Sequence, residues 1–195
     1  SGGKIWETMQ LKQTSVKKGL VLAAGMGTRL AGSHEIPKPL VRINGIPMIY
    51  RTFDALRQGG VEELCVVIGY MGSQVKAAVE YYAIKEDITV EFLENSRWQE
   101  PNGLSLFLGR HFTRGEDFIL SMVDHLFDPE IVSRLQAGGH HRGATLAVDQ
   151  DIHRIFDIAD ATKVLMDPSF NIIDIGKSIP TYNGIDCGLF RCTAD

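Results

Sequence analysis

The sequence predicts an α/β fold, a Rossmann-like three-layer sandwich with a mostly parallel sheet and a small β-hairpin lobe. Three observations support this prediction. Over the first two-thirds of the chain, apolar strand-like runs alternate with segments of helical periodicity, as in parallel sheets covered by helices on both faces. The last third contains short strand-like runs only. The length of 195 residues is that of a single domain with a substantial core.

The elements of the first two-thirds follow from apolar spacing and from end signals. Ile49, Phe53 and Leu56 recur at helical spacing, and the Gly59-Gly60 pair ends that helix. Ser73 is the expected N-cap of the second helix. The predicted strands span 20–24, 64–68, 88–93 and 118–123, and the predicted helices span 47–58, 73–82, 102–112 and 129–136.

The last third is predicted to be all strand. The runs 144–148, 162–166, 172–175 and 185–192 are apolar and short, and Asp167-Pro168-Ser169 is a turn signal between the second and the third. We therefore expect these two strands to form a hairpin.

Composition and charge exclude several classes of partner. The net charge is −4 and no basic stripe is present, which argues against a nucleic-acid partner. The three cysteines, Cys65, Cys187 and Cys192, show no metal-binding spacing, and we expect buried free thiols in a reducing compartment. No segment resembles a signal peptide or a membrane span, so we expect a cytoplasmic domain that does not contact the membrane.

The chain is expected to contain one domain, over residues 18–195, behind a lead-in. Ser1-Gly2-Gly3 resembles the scar of a removed tag, and the polar stretch up to Lys17 precedes the first strand. Because the last predicted strand ends three residues before Asp195, we expect the natural chain to continue.

The most informative segment is the glycine turn after the first strand, Leu22-Ala23-Ala24-Gly25-Met26-Gly27-Thr28-Arg29-Leu30. Glycines allow backbone N–H groups to approach a phosphate, and Arg29 offers a planar fork of donors. Lys38, between Pro37 and Pro39, adds a second positive charge. The glycines alone also fit an ordinary strand–helix turn. The segment is neither a P-loop nor a good dinucleotide fingerprint, because Leu30 replaces the third small residue.

Together with Pro37-Lys38-Pro39, this segment resembles the signature of nucleotidyltransferases that make NDP-sugars and CDP-alcohols. The resemblance implies the nucleotide-diphospho-sugar transferase type of fold. It also implies that the loop wraps a nucleotide triphosphate and that Arg29 and Lys38 are catalytic. The nucleotide-binding residues implied in this segment are Leu22, Ala23, Ala24, Gly25, Gly27, Thr28, Arg29 and Lys38.

Two acidic residues are candidate metal ligands. Asp124 follows a buried-type strand, where a carboxylate suits magnesium, although an N-cap or a surface turn is the alternative. Asp186 lies within an apolar strand, where a charge must be paired or metal-bound. Ser121-Met122-Val123-Asp124-His125 resembles the family's second signature, and the resemblance implies that Asp124 contacts the nucleotide and that both aspartates bind Mg²⁺. His125 is expected only to pack or to hydrogen-bond.

The segment 95–106 joins a predicted strand to a predicted helix. It resembles the N…N-G-x-S-L segment of cytidylyltransferases acting on phospho-alcohols, such as the phosphocholine enzymes. The resemblance implies that Asn102, Gly103 and Ser105 contact the nucleotide. On the residues alone, a plain connecting loop explains the segment equally well.

The order D-A-T-K-V, I-G-K and I-D-C-G-L-F resembles the CTP:inositol-1-phosphate cytidylyltransferases, which the chain matches over about residues 18–192. The resemblance implies that Asp160, Thr162, Lys163 and Lys177 bind the acceptor, whereas the residues alone also fit a solvated turn and hairpin. Some family members are fused to a membrane-embedded CDP-alcohol phosphotransferase, so such a domain is expected either fused or acting downstream, in phospholipid biosynthesis.

The implied reaction is transfer of a cytidylyl group from CTP to a small phospho-alcohol. Inositol 1-phosphate is the expected acceptor, which gives CDP-inositol and pyrophosphate. The alternatives are phosphocholine or an aminoalkyl phosphonate as acceptor, or a nucleotide-binding module without turnover. Family members usually have more residues after the last strand, which leaves the completeness of the acceptor pocket open.

Overall fold

The computed structural model describes residues 15–26, 36–138, 142–152, 158–159 and 161–193. In this part of the chain, eight strands form one sheet in the order β5-β4-β1-β6-β10-β8-β9, with β7 paired to β10. Its strands are β1 (Lys18–Ala23), β4 (Glu63–Ile68), β5 (Val90–Glu94), β6 (Phe118–Met122), β7 (Ala144–Asp149), β8 (Lys163–Met166), β9 (Ile172–Gly176) and β10 (Gly184–Cys192). A two-stranded sheet consists of β2 (Arg42–Ile43) and β3 (Ile46–Pro47).

One side of the sheet, from β5 to β6, is parallel, which explains why the apolar runs of these strands are nearly continuous. Strand β1 pairs in parallel with β4 and with β6, and β4 pairs in parallel with β5. All six residues of β1 are buried, because its side chains alternate between two cores. Val21 points into one core, and Leu20 and Leu22 point into the other. The predicted α/β architecture is confirmed.

Helices cover both faces of the sheet. They are α1 (Met48–Gln58), α2 (Gly72–Glu86), α3 (Gly103–Leu108), α4 (Arg110–Thr113) and α5 (Pro129–Ala137). Side chains of α1, α2 and α5 pack into the core that contains Val21, and Leu108 and Phe112 of α3 and α4 pack into the other. Among the described residues, no helix has the length and apolar character needed to cross a bilayer.

Two details of the helices differ from the predictions. The second helix begins at Gly72 behind a left-handed Met71 with φ of 50°, so Ser73 lies inside the helix and the prediction of a Ser73 N-cap is wrong. The helix predicted over 102–112 is divided at Gly109. A Cβ on Gly109 would lie 2.2 Å from Leu20 Cδ2, so a side chain there would collide with the core face of β1.

Strand β10 is antiparallel to its neighbours and changes partner along its length. Its first residues pair with β8, and residues 189–192 pair with β6. On its other edge it pairs with β7, where a register shift leaves residues 187–189 opposite the single residue Ala147. This bulge bends the strand at the point where it passes from the hairpin lobe to the central sheet.

The hairpin lobe is present as predicted. Strands β8 and β9 are antiparallel, and the turn between them is held by Asp167, whose carboxylate accepts hydrogen bonds from the backbone N–H groups of Ser169 and Asn171. The sequence patterns do not predict the β2–β3 hairpin. All three cysteines are free, but only Cys65 is fully buried, whereas Cys187 and Cys192 are half-buried.

Candidate functional site

An ion pair joins two segments that are remote in sequence. Lys38 lies in a 3₁₀ turn over Lys38–Leu40, in which Pro39 is buried. Asp124 lies two residues beyond the end of β6. The Lys38 Nζ is 3.1 Å from Asp124 Oδ2, and both side chains are partly exposed. The pair therefore faces solvent at the carboxyl edge of the parallel strands, where α/β sheets bind their ligands.

Asp186 reaches the same edge from the antiparallel strand. The last pair between β10 and β6 is Leu189 with Ser121. Beyond this pair the ladder ends, and β10 is bulged between Asp186 and Phe190. Burial raises the pKa of Asp186, and the charge of Asp124 raises it further, so the two carboxyl groups lie near each other. Lys38 is thus ion-paired with Asp124, and Asp186 lies near enough to interact with the charge of Asp124, whereas the roles assigned to these residues remain predictions.

Two neighbours keep Asp124 ionised. Burial by itself would raise the pKa of Asp124, but a hydrogen bond and charge from His125 and the charge of Lys38 outweigh it, so the pKa lies well below its usual range. The hydrogen bond joins His125 Nδ1 to Asp124 Oδ1 over 2.9 Å. In return, this bond raises the pKa of His125. Asp124 therefore remains an anion at every pH at which the protein is expected to work.

Asp186 has the opposite electrostatic environment. Its burial raises the pKa of the carboxyl group, and a hydrogen bond from the Gly188 backbone partly offsets that shift. The Gly188 N–H donates to Asp186 Oδ1 over 2.6 Å. Because two carboxylates close together repel each other, a cation between them would favour the ionised form of both.

Asp124 and Asp186 are the two candidates, among the described residues, for holding a divalent cation. No cluster of three or more histidine, cysteine, aspartate or glutamate residues suited to a metal occurs in the described part of the chain. Mg²⁺ is commonly bound through one or two carboxylates, with phosphates and water completing its octahedron. Asp124 and Asp186 fit that donor set when a nucleotide supplies the remaining oxygens.

The first part of the glycine turn lies beside this edge. Ala24 is buried, whereas Gly25 is exposed, and a Cβ on Gly25 would meet nothing within 4 Å. Leu22 and Ala23 lie inside β1, so their side chains belong to the two cores. Gly27, Thr28 and Arg29 lie outside the described residues, and their assigned contacts remain predictions.

The segment 95–102 packs against the end of β1 through Gly69. A Cβ on Gly69 would lie 2.6 Å from Trp98 Cβ and 2.8 Å from the carbonyl oxygen of Ala24. The adjacent Tyr70 donates its backbone N–H to that same carbonyl over 2.9 Å. Its ring lies 5.1 Å from the Trp98 ring. An aromatic pair thus borders the space beyond the glycine turn.

The predicted nucleotide contacts in this segment have different environments. Asn102 and Gly103 are exposed at the start of α3. Ser105 is buried, and its hydroxyl accepts a hydrogen bond of 2.9 Å from Asn95 Nδ2. Ser105 therefore ties α3 to the end of β5 in this structure, and Asn102 and Gly103 are the members of the set that are open to a ligand.

The acceptor residues predicted from the sequence begin next to Asp186. The Thr162 carbonyl accepts a hydrogen bond of 2.9 Å from the Asp186 backbone N–H. Lys163 Nζ donates to the Lys177 carbonyl over 2.6 Å and lies 5.6 Å from the centre of the Tyr182 ring. The Lys163 side chain therefore lies against the backbone at Lys177, just after β9. Asp160 lies outside the described residues.

Sequence reasoning missed the structural importance of Gly69 and Gly188, whereas His125 packs and hydrogen-bonds as expected. A glycine inside a strand pattern is a signal for a bulge or a close approach, and Gly188 lies in the bulge of β10 with φ of 66°. Nothing in the sequence indicated that His125 would contact Gly188, because that contact depends on the antiparallel pairing of β6 with β10.

Comparison with known proteins places this site in context. Residues 19–159 match the family model of the MobA-like NTP transferase domain. A bifunctional IPC transferase and DIPP synthase of Rubrobacter xylanophilus is 34% identical over 188 residues, which are 93% of this chain and 40% of that protein. The chain therefore spans less than half the length of that relative.

Two further similarities are informative. A 2-aminoethylphosphonate cytidylyltransferase of Lancefieldella rimae is 32% identical over 155 residues, or 75% of this chain and 58% of that protein. The solved structure of the inositol-1-phosphate CTP transferase from T. maritima aligns with a TM-score of 0.78 at 28% identity, covering 92% of this chain and 71% of that one.

Proposed function

This chain belongs to the MobA-like NTP transferase family, and we propose that it transfers a cytidylyl group from CTP to inositol 1-phosphate. The products would be CDP-inositol and pyrophosphate. The name of the T. maritima structure, an inositol-1-phosphate CTP transferase, supports the inositol acceptor and CTP as the donor.

The observation that carries this proposal is the convergence of Lys38, Asp124 and Asp186 at one edge of the sheet. One cation and two carboxylates come from three separate segments: Lys38 is ion-paired with Asp124, and the charge of Asp124 acts on Asp186. Such a set can neutralise phosphate charge and can hold a divalent ion in the same place. An ion pair without a ligand role would not need a second carboxylate near the first.

The reaction needs positioning and charge neutralisation more than proton transfer. A phosphate monoester is largely ionised near neutral pH, so its oxygen can attack the α-phosphate of CTP in line without a general base. Lys38 would stabilise the charge that develops at the α-phosphate, and Arg29 would hold the β- and γ-phosphates. Bound Mg²⁺, held by Asp124 and Asp186, would supply further charge neutralisation at the phosphates.

The acceptor would enter from the side of the hairpin lobe. Thr162 is hydrogen-bonded to the backbone of Asp186, so β8 starts next to the proposed metal ligands. Lys163 and Lys177 lie farther along that lobe and would bind the phosphate of the acceptor. Their positive charge suits a phospho-alcohol, and an inositol ring would use hydrogen-bonding groups rather than an acidic wall.

An aminoalkyl phosphonate is the second candidate acceptor, and phosphocholine has the same chemical character. The Lancefieldella relative supports the phosphonate. The ring of Tyr182, which now lies near the Lys163 ammonium group, could contact a cationic amine instead. The candidate acceptors therefore differ in their alcohol part, which is a cationic amine in one case and a polyol in the other.

The test is pyrophosphate release by the 195-residue chain with CTP, Mg²⁺ and each of three acceptors: inositol 1-phosphate, phosphocholine and 2-aminoethylphosphonate. Mass spectrometry of the product identifies the CDP-alcohol, and reactions without acceptor or with EDTA are the controls. Turnover with inositol 1-phosphate is expected. Turnover with an amine only would favour the second candidate, and CTP binding without turnover would favour a non-catalytic module.

The cell biology of the product is part of the proposal. CDP-inositol is an activated alcohol suited to a CDP-alcohol phosphotransferase in the membrane, either fused to this domain or acting after it in phospholipid biosynthesis. We place the domain in the cytoplasm, where CTP is available.

A further inference from the structure

We propose that His125 and Gly188 form a positioning pair that fixes the carboxylates of Asp124 and Asp186 relative to one another. The inference rests on the proposed function, because a fixed pair of carboxylates matters only if the two share a cation. Neither His125 nor Gly188 is assigned to touch the substrate or the metal.

His125, the first residue of the pair, orients Asp124. One carboxylate oxygen, Oδ1, lies 2.9 Å from His125 Nδ1, and the other, Oδ2, lies 3.1 Å from Lys38 Nζ. With both oxygens engaged, the carboxylate has a single orientation. Without the imidazole, Asp124 could rotate about its χ2 angle, because an aspartate terminus has a broad torsional well.

Gly188, the second residue of the pair, packs against the imidazole ring and orients Asp186. A Cβ on Gly188 would lie 2.4 Å from both Cγ and Nδ1 of His125, so the ring packs directly on the Gly188 backbone. The N–H of the same glycine donates to Asp186 Oδ1 over 2.6 Å. Gly188 also has φ of 66°, a left-handed conformation that favours glycine.

These contacts form one continuous chain from Asp124 through His125 and Gly188 to Asp186. It crosses the gap where β10 has left the hydrogen-bond ladder of β6, since their last pair is Leu189 with Ser121. The ring of His125 thus replaces the missing ladder as a spacer between the two strands. Outer partners that hold a metal ligand in place typically contribute 10- to 100-fold to metal affinity.

The first test measures Mn²⁺ affinity by electron paramagnetic resonance, with CTP present and without acceptor. His125→Ala and His125→Leu, which both lack the Nδ1 donor, should weaken Mn²⁺ binding by about 10- to 100-fold. His125→Asn should retain most of the affinity, because the amide Nδ2 of asparagine can occupy the place of Nδ1. Equal affinity in wild type and all three variants would overturn the inference.

The second test uses thermal unfolding without metal or nucleotide, so that it is independent of activity. Gly188→Ala should lower Tm, and the loss should be smaller when His125 is already alanine, because the collision with the ring is then absent. Gly115→Ala is the matched control. Gly115 has φ of 79°, and a Cβ there would meet nothing within 4 Å, so the variant carries the backbone strain without the collision. Additive Tm losses for Gly188 and His125 would contradict the proposed contact.

The two tests separate this inference from the proposed function. If Asp186→Asn weakens Mn²⁺ binding but the His125 variants do not, the metal site stands and the positioning pair is wrong. If Asp124→Asn and Asp186→Asn bind Mn²⁺ as wild type does, the proposed metal site fails and the inference, which depends on it, fails too. The comparison of Tm between the single and double variants then shows only whether His125 contacts Gly188.

Discussion

The ammonium group of Lys38 lies 3.1 Å from a carboxylate oxygen of Asp124, although 86 positions separate the two residues. Lys38 is held in a 3₁₀ turn, and Asp124 is held by the end of β6. Both groups are therefore held in place at this edge before a ligand binds. The first prediction depends on that preorganisation.

Replacing Lys38 by alanine should lower the rate of nucleotidyl transfer by about 10²- to 10³-fold, as for single donors that stabilise transition-state charge. The fold should remain, because the Lys38 side chain is partly exposed. Steady-state kinetics with saturating CTP would measure the loss. Lys76→Ala, on the exposed face of α2, is the control and should have the rate of the wild type. A Lys38→Ala protein with near-normal turnover would remove this residue from the mechanism.

Asp186→Asn should raise the Mg²⁺ concentration that gives half-maximal rate. The loss of a direct ligand should exceed the cost of losing an outer partner, and we therefore expect a shift of at least about 10-fold. Mg²⁺ titration of the rate would show it. Asp87→Asn is the matched control, because Asp87 caps α2 in a left-handed conformation that asparagine also tolerates. Unchanged Mg²⁺ dependence in Asp186→Asn would argue that Asp186 is only a structural acid.

Lys18 should matter for stability and not for catalysis. Its side chain is buried at the start of β1, and Nζ donates to the carbonyl groups of Phe112 and Thr113 at the end of α4. Lys18→Ala would remove the donor to the Phe112 carbonyl and the ion pair with Glu116, whereas the Thr113 carbonyl keeps the Glu116 backbone N–H, and we expect a cost of about 2 kcal/mol. Urea unfolding would measure the change. The adjacent Lys17, exposed and paired with exposed Glu62, is the control, and Lys17→Ala should cost well under about 1 kcal/mol.

Ser121→Ala should leave stability unchanged or increase it slightly. Ser121 is fully buried in β6, and its hydroxyl has no hydrogen-bond partner among the described residues. Removing an unsatisfied buried polar group relieves a desolvation cost of about 1 kcal/mol. Thermal unfolding would measure the effect. A clear loss of stability would mean that the hydroxyl has a partner, such as a buried water molecule.

Native cysteines should react slowly with iodoacetamide at pH 8. Burial raises the pKa of Cys65 to about 12 and those of Cys187 and Cys192 to about 11, so the reactive thiolate is about 10⁻³ of each half-buried thiol at that pH. Because each pKa is raised, alkylation of Cys187 and Cys192 should accelerate as the pH rises toward that value. Mass spectrometry would follow alkylation, with protein unfolded in guanidinium as the control. Rapid labelling of Cys65 in folded protein would contradict its burial.

The sequence by itself determined the fold class and most of the elements, because those depend on local patterns. The buried runs became β1, β4 and β6 within about two residues of their predicted bounds, and the turn at Asp167 became the predicted hairpin. Two exceptions concern where helices begin and divide. Met71, and not Ser73, precedes α2 in a left-handed conformation. Gly109 divides the other helix where it packs against Leu20, and residue spacing does not reveal such a tertiary contact.

For the site, the sequence supplied the residue types, and the family resemblance supplied the pairing of Asp124 with Asp186. Only the tertiary structure decided how they meet. The antiparallel pairing of β10 with β6 brings the segments that carry the two carboxylates to the same edge of the sheet, and the bulged Gly188 lies against the His125 ring. Strand order and register arise from long-range pairing of segments far apart in the chain, and a single sequence contains no local signal for them.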